Sequence, residues 1–159
     1  MTEEATRTTM AGFIAELGIT MEVEGGVDPR HLRSLKTVKD EDGWEHYAWI
    51  VILKRGSETL HSDYRTGIGH STRKWNGWSD WIVTPTPPKI EDVLDSLTTD
   101  ASCYEEALNF EDFASNLGYD TDSRKAERIY HLCGDMAKRL RFFLGREQFE
   151  RLLWDVERL

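Results

Sequence analysis

The stretch Thr84-Pro-Thr-Pro-Pro-Lys-Ile-Glu-Asp-Val-Leu-Asp-Ser-Leu-Thr98 is where the chain changes its period. Its prolines fix φ and lack a backbone donor, so no strand or helix runs through them. Before them, apolar residues alternate with period two. After them, Ile90, Val93, Leu94 and Leu97 recur at helical spacing. Strand periods first and helix periods afterwards predict an α+β fold, a small antiparallel sheet in the N-terminal half followed by a helical C-terminal region. The same boundary divides residues 1–84, an N-terminal helix plus the sheet, from the helical residues 85–159. At this length the two parts suit one compact domain.

Upstream, Met10, Phe13, Ile14 and Leu17 predict a short helix over Thr6–Leu17, stopped by Gly18. Ile19–Glu24 alternates as a half-buried strand does. Val27–Gly43 reads as a long polar loop. Trp44–Leu53 is the strongest strand signal. Tyr47, Trp49, Val51 and Leu53 share one face, and Ala48, Ile50 and Ile52 share the other, as in a central strand. Gly56 in Lys54-Arg-Gly-Ser57 predicts a tight turn into a second strand, Glu58–Thr66. Ser71–Asp80 reads as a loop, and Trp81–Val83 as a short edge strand.

Downstream, Lys89–Thr98, Tyr104–Leu108 and Phe110–Leu117 read as helical. Arg124–Leu144 is the longest helix, with a core stripe of Ala126, Ile129, Tyr130, Cys133, Met136, Ala137, Leu140 and Leu144. Arg146–Leu159 forms a last helix. Its Leu152, Leu153, Trp154 and Val156 serve either a monomer core or a homodimer contact.

The charge is segregated. Residues 90–123 hold ten acidic residues and no Lys or Arg, so this block alone carries −10 in a chain of net charge −9. Residues 1–89 carry −2 and residues 124–159 carry +3. Such a block repels nucleic acid and anionic membranes and attracts basic surfaces. Some of its charge is open to internal neutralisation by Arg124, Lys125, Arg128, Lys138, Arg139, Arg141 and Arg146. With 11% aromatic residues, including six Trp, the acidic chain is expected to fold rather than to form a disordered tail.

No stretch reaches the roughly 20 apolar residues of a membrane helix, and Met1–Met10 lacks the apolar core of a signal peptide. The expectation is a cytoplasmic protein. Cys103 and Cys133 do not make a disulfide framework and are read as structural thiols.

The chemical motifs are weak. No histidine pair has zinc spacing, and Asp120 and Asp122 begin a calcium loop that Arg124 interrupts, so helix capping is the better account. Gly67-Ile-Gly-His70 lacks the third glycine of a dinucleotide loop, which leaves a turn in which His70 is the most plausible functional histidine. No cofactor, metal or catalytic residue is expected. Trp75 and Trp78, close after Arg73 and Lys74, fit three readings: an aromatic recognition patch, a stacking platform for single-stranded nucleic acid, or a small core beneath a loop.

Glu91-Asp-Val-Leu-Asp95, Asp100-Ala101, Phe110-Glu-Asp-Phe113 and above all Gly118-Tyr-Asp-Thr-Asp-Ser-Arg-Lys-Ala-Glu127 with Tyr130 carry a resemblance. The region Ile90–Leu153 is similar to the C-terminal part of small proteins encoded by bacteriophages and prophages. Tyr64 and Gly67-Ile-Gly69 extend the likeness into the sheet half. The resemblance implies a mobile-element context, where counter-defence functions are common, and transfers no reaction.

In that context the expected function is inhibition of a host nucleic-acid-targeting defence complex, in the manner of an anti-CRISPR, by protein–protein binding. Asp92, Asp95, Glu105, Glu106, Glu111 and Asp112 are the expected contacts, with Trp75 and Trp78 adding specificity. The partner is then a host nucleic-acid-binding protein or CRISPR complex, with nucleic acid itself and membrane disfavoured. Two alternatives stay open: a phage DNA-metabolism accessory that binds single strands, and a small enzyme with a polar pocket around His70.

Overall fold

Thr9 opens the first helix by accepting the Gly12 N–H on its hydroxyl, 3.0 Å away, and Gly18 closes it in the left-handed region. The structure is a computed structural model that describes residues 8–24, 36–39, 45–67, 72–75, 81–84 and 88–157, with side chains over 8–23, 49–64 and 88–157. In chain order the elements are β1 (Thr8–Thr9), α1 (Met10–Leu17), β2 (Thr20–Glu24), β3 (Lys36–Lys39), β4 (Glu45–Arg55), β5 (Glu58–Gly67), β6 (Thr72–Trp75) and β7 (Trp81–Thr84). Then follow α2 (Ile90–Glu106), α3 (Phe110–Asn116), α4 (Arg124–Leu144), α5 (Arg146–Trp154) and β8 (Val156–Glu157). The fold is α+β, an antiparallel sheet in the N-terminal half and helices in the C-terminal half.

The chain forms two compact units. One comprises Thr20–Lys54 and His61–Ile90. Its centre is β4, which pairs antiparallel with β2 along Ile50–Lys54 and with β3 along Glu45–Ala48; β5 also pairs with it. The expected central strand is thus found, but it is one-sided where side chains are described. Trp49, Val51 and Leu53 are fully buried, whereas Ile50 is exposed. The short strand β3 lies inside the segment read as loop. Four residues between glycine-poor polar stretches leave too little periodicity to see. β6 and β7 pair antiparallel, with Trp75 opposite Trp81.

The other unit comprises Met1–Ile19, Arg55–Leu60 and Glu91–Leu159. Here α1 groups with the C-terminal helices rather than with the strands that follow it in sequence. Thr8 pairs in parallel with Val156, and the Arg151 guanidinium holds both oxygens of Glu16. Phe13, Leu94, Phe113, Leu140, Phe143, Phe149 and Leu152 are among the buried side chains. The hairpin tip belongs to this unit because Leu60 is buried and Arg55 donates to the Leu144 carbonyl at 2.9 Å. Gly56 takes the φ of +60° that a two-residue hairpin connection accepts most easily.

The expected bounds of α4 hold, and six of its eight stripe residues are buried, with Ile129 and Tyr130 half-buried. The two helical readings around Lys89–Leu108 are one continuous α2. Its interior threonines do not break it, because Thr98 and Thr99 return their hydroxyls to the Leu94 and Asp95 carbonyls. The last helix ends at Trp154, short of the expectation, where the chain turns into β8.

Candidate functional site

Helix α2 has its apolar residues on one side, so its acidic residues share the other. Val93, Leu94, Leu97 and Ala101 are buried, while Asp92 and Glu106 are exposed and Glu91, Asp95 and Glu105 are half-buried. Glu91 and Asp92 occupy the first turn, where carboxylates stabilise a helix through its dipole. Glu105 and Glu106 occupy the last turn, where the dipole opposes them and no basic residue of that turn compensates.

The structure gives the two terminal carboxylates different partners. Glu105 is held by Arg141 of α4, whose guanidinium also lies 5.0 Å from the centre of the Phe149 ring. Glu106 accepts the Ser102 hydroxyl and stays exposed. Asp95 keeps interactions of its own within the fold.

After α2 the chain turns through residues 107–109 into α3. Asn109 caps that helix by accepting the Asp112 N–H at 2.9 Å, and the Asp112 carboxylate in turn accepts the Leu108 N–H at 3.0 Å. The turn is therefore braced from both ends. It presents Leu108 with 90% of its surface exposed, between the exposed carboxylates of Glu106 and Glu111. Leu108 escapes sequence reading, since an apolar residue between two helical segments looks like core. Only the cap geometry shows it pointing to water.

Beside Glu105 a groove of about 450 Å³ runs between α2 and α4, lined by Tyr104, Tyr130, His131, Asp135, Lys138 and Arg141 among others. Its floor is aromatic. Tyr130 packs against Tyr104, Phe110 and Phe113 with ring centroids 5.1–5.3 Å apart. Burial, together with the neighbouring Tyr104 hydroxyl, holds the Tyr130 phenol above its ordinary pKa. Gly134 lets Tyr104 lie against the α4 backbone, since a Cβ there would meet the ring at 2.8 Å.

Two further titratable groups are shifted on these helices. Asp100 is solvent-exposed, yet the protein atoms packed around its carboxyl partly desolvate it and raise it above its usual range. Burial, with Asp100 and Cys103 nearby, pushes the Cys133 thiol up to about 12. Such a thiol is not a nucleophile at neutral pH. Both cysteines are thiols, Cys133 buried and Cys103 half-buried. Among the described residues, no three His, Cys, Asp or Glu side chains are grouped to hold a metal ion. No helix of the described residues is long and apolar enough to cross a membrane.

The expected site residues therefore divide. Asp92, Glu106 and Glu111 are outward carboxylates. Asp95, Glu105 and Asp112 are half-buried, and Glu105 and Asp112 brace the fold itself. Asp120 and Asp122 are exposed; the α4 cap is instead Ser123, which accepts the Ala126 N–H. Trp75 is placed only by its backbone in β6, and Trp78 and His70 lie outside the described residues. No protein-family model, curated protein or solved structure matches the chain.

Proposed function

We propose that the protein acts by protein–protein binding, setting its carboxylate face against the basic nucleic-acid-binding surface of a host defence complex and so inhibiting it. The observation that carries the reading is the outward carboxylates of α2 and α3: Glu106 and Glu111 stand exposed on either side of a braced, solvent-facing Leu108, and Asp92 stands exposed in the first turn of α2. Charge density supports it. The 17 residues of α2 hold six carboxylates and no cation. A helix of that length spans about 25 Å, over which one strand of B-DNA presents roughly seven phosphates. The unfavourable placement of Glu106 at the negative end of its helix points the same way. An apolar knob ringed by charge is the usual anatomy of a protein contact. A phage or prophage origin, part of the same proposal, fits a target in host defence.

The test is capture of tagged protein's partners from nuclease-treated host lysate at moderate salt, followed by a cleavage assay on the complex retained. Retention of a nucleic-acid-processing complex that competitor DNA or RNA displaces is the expected result. The triple variant Asp92→Lys, Glu106→Lys, Glu111→Lys should then lose inhibition while remaining folded. Full inhibition by that variant sinks the reading.

A further inference from the structure

Helix α4 carries the mirror image of the acidic cluster. Phe142 is 78% exposed, an unusual state for so large an aromatic residue on a well-packed helix. Lys138 and Arg139 precede it by four and three residues and so lie beside it on the helix surface. On the other side, Leu108 is 90% exposed between Glu106 and Glu111. One cluster is an apolar knob one helical turn after two cations, the other an apolar knob between two carboxylates in sequence. Lys138 of the second cluster lines the groove between α2 and α4, and so does Glu105, the chain neighbour of Glu106.

We propose that this face is a self-association surface, in which the Glu106–Leu108–Glu111 cluster of one copy packs on the Lys138–Arg139–Phe142 cluster of a second copy. Charge complementarity selects the occupant: each cluster is matched in sign and in apolar character by the other. Because both clusters lie on one unit, a two-fold axis between the copies lets each donate both, which closes the pair as a dimer and leaves no open end to grow a filament. The contact draws on Glu106 and Glu111, the carboxylates offered to a basic partner in the proposed function. Dimer and partner complex therefore compete, and the monomer is the partner-binding form. The dimer itself does not depend on that function.

The test is sedimentation equilibrium of the full chain at high micromolar concentration in about 0.1 M and about 1 M salt, between which the Debye length falls from roughly 10 Å to roughly 3 Å. A dimer at low salt whose dissociation constant rises at least tenfold at high salt is expected. Phe142→Asp, Leu108→Asp, the pair Lys138→Glu with Arg139→Glu, and the pair Glu106→Lys with Glu111→Lys should each be monomeric with unchanged circular dichroism. Mixing the two charge-reversed pairs should restore a one-to-one dimer, because each then offers what the other lacks. A wild-type monomer at low salt overturns the proposal. So does a dimer indifferent to the reversals, or a mixture of the two pairs that stays monomeric. Phe142→Asp leaves the carboxylates in place, so its inhibition of a captured target reports on the proposed function separately.

Discussion

Tyr104 lies across α4 at Gly134, so close that a Cβ on that glycine would stand 2.8 Å from the ring's Cε2. Two effects oppose each other in Gly134→Ala. Helix propensity favours alanine by about 1 kcal/mol. Overpacking against a ring already confined by Tyr130 costs about 1–3 kcal/mol. Overpacking wins, so the variant should be destabilised in urea denaturation. Adding Tyr104→Ala should relieve the clash, and the two changes should be strongly non-additive. A stabilised single variant would show that the ring yields freely.

Asp100 gives a prediction of opposite sign to the usual carboxylate. Its folded pKa is raised by partial desolvation of an otherwise exposed side chain, so a small contribution to stability is fully present below the ordinary Asp range near 3.8 and is lost as pH rises through the folded value. Asp100→Asn should therefore raise stability at neutral pH and change nothing in acid below that range. Denaturation curves at the two pH values decide it; an equal gain at both would assign the effect to packing.

The pair Glu16–Arg151 behaves in the conventional way. Arg151 holds Glu16 below its ordinary value of 4.5, mainly through the hydrogen bonds between them. A depressed carboxylate contributes stability above its unfolded pKa and loses it as pH falls through the folded value. Wild-type stability should thus show an acid-side loss that Glu16→Gln removes. Arg151→Lys should not preserve the two-oxygen grip, because an ammonium lacks the planar fork. Thermal melts of both variants from neutral to acid pH would show it. A Lys variant with the wild-type acid profile would reduce the pair to a simple charge attraction.

Asn109 and Asp112 should behave differently from their acidic neighbours. Asn109→Ala removes the cap of α3 and should cost about 1 kcal/mol, and Asp112→Ala frees the Leu108 N–H for a similar loss. Glu106→Lys and Glu111→Lys change exposed groups and should stay within about 0.5 kcal/mol of wild type. Denaturant midpoints of the four variants test the separation. Equal losses in all four would mean that the acidic row supports the fold instead of facing a partner.

The periods alone determined the long elements and the change from strands to helices, but not the short strands β3, β6 and β8, which lie in segments read as loop or helix. Two-residue alternation in Trp44–Leu53 and helical spacing in Arg124–Leu144 are local signals, and both of these elements follow from their own residues. The Gly18 stop of α1 was equally legible, since a left-handed residue ends a helix wherever it stands. The charge segregation, too, is a property of the chain as written.

Only the tertiary structure decided which carboxylates are available. Glu105 and Glu106 are adjacent and chemically alike, yet one meets Arg141, thirty-six residues on, and the other faces water. The pairing of Thr8 with Val156 and the exposure of Leu108 and Phe142 are of the same kind. Each depends on which distant backbone arrives beside a residue. Periodicity reports the face a side chain occupies on its own element, whereas partnership is set by long-range packing, which no local spacing encodes.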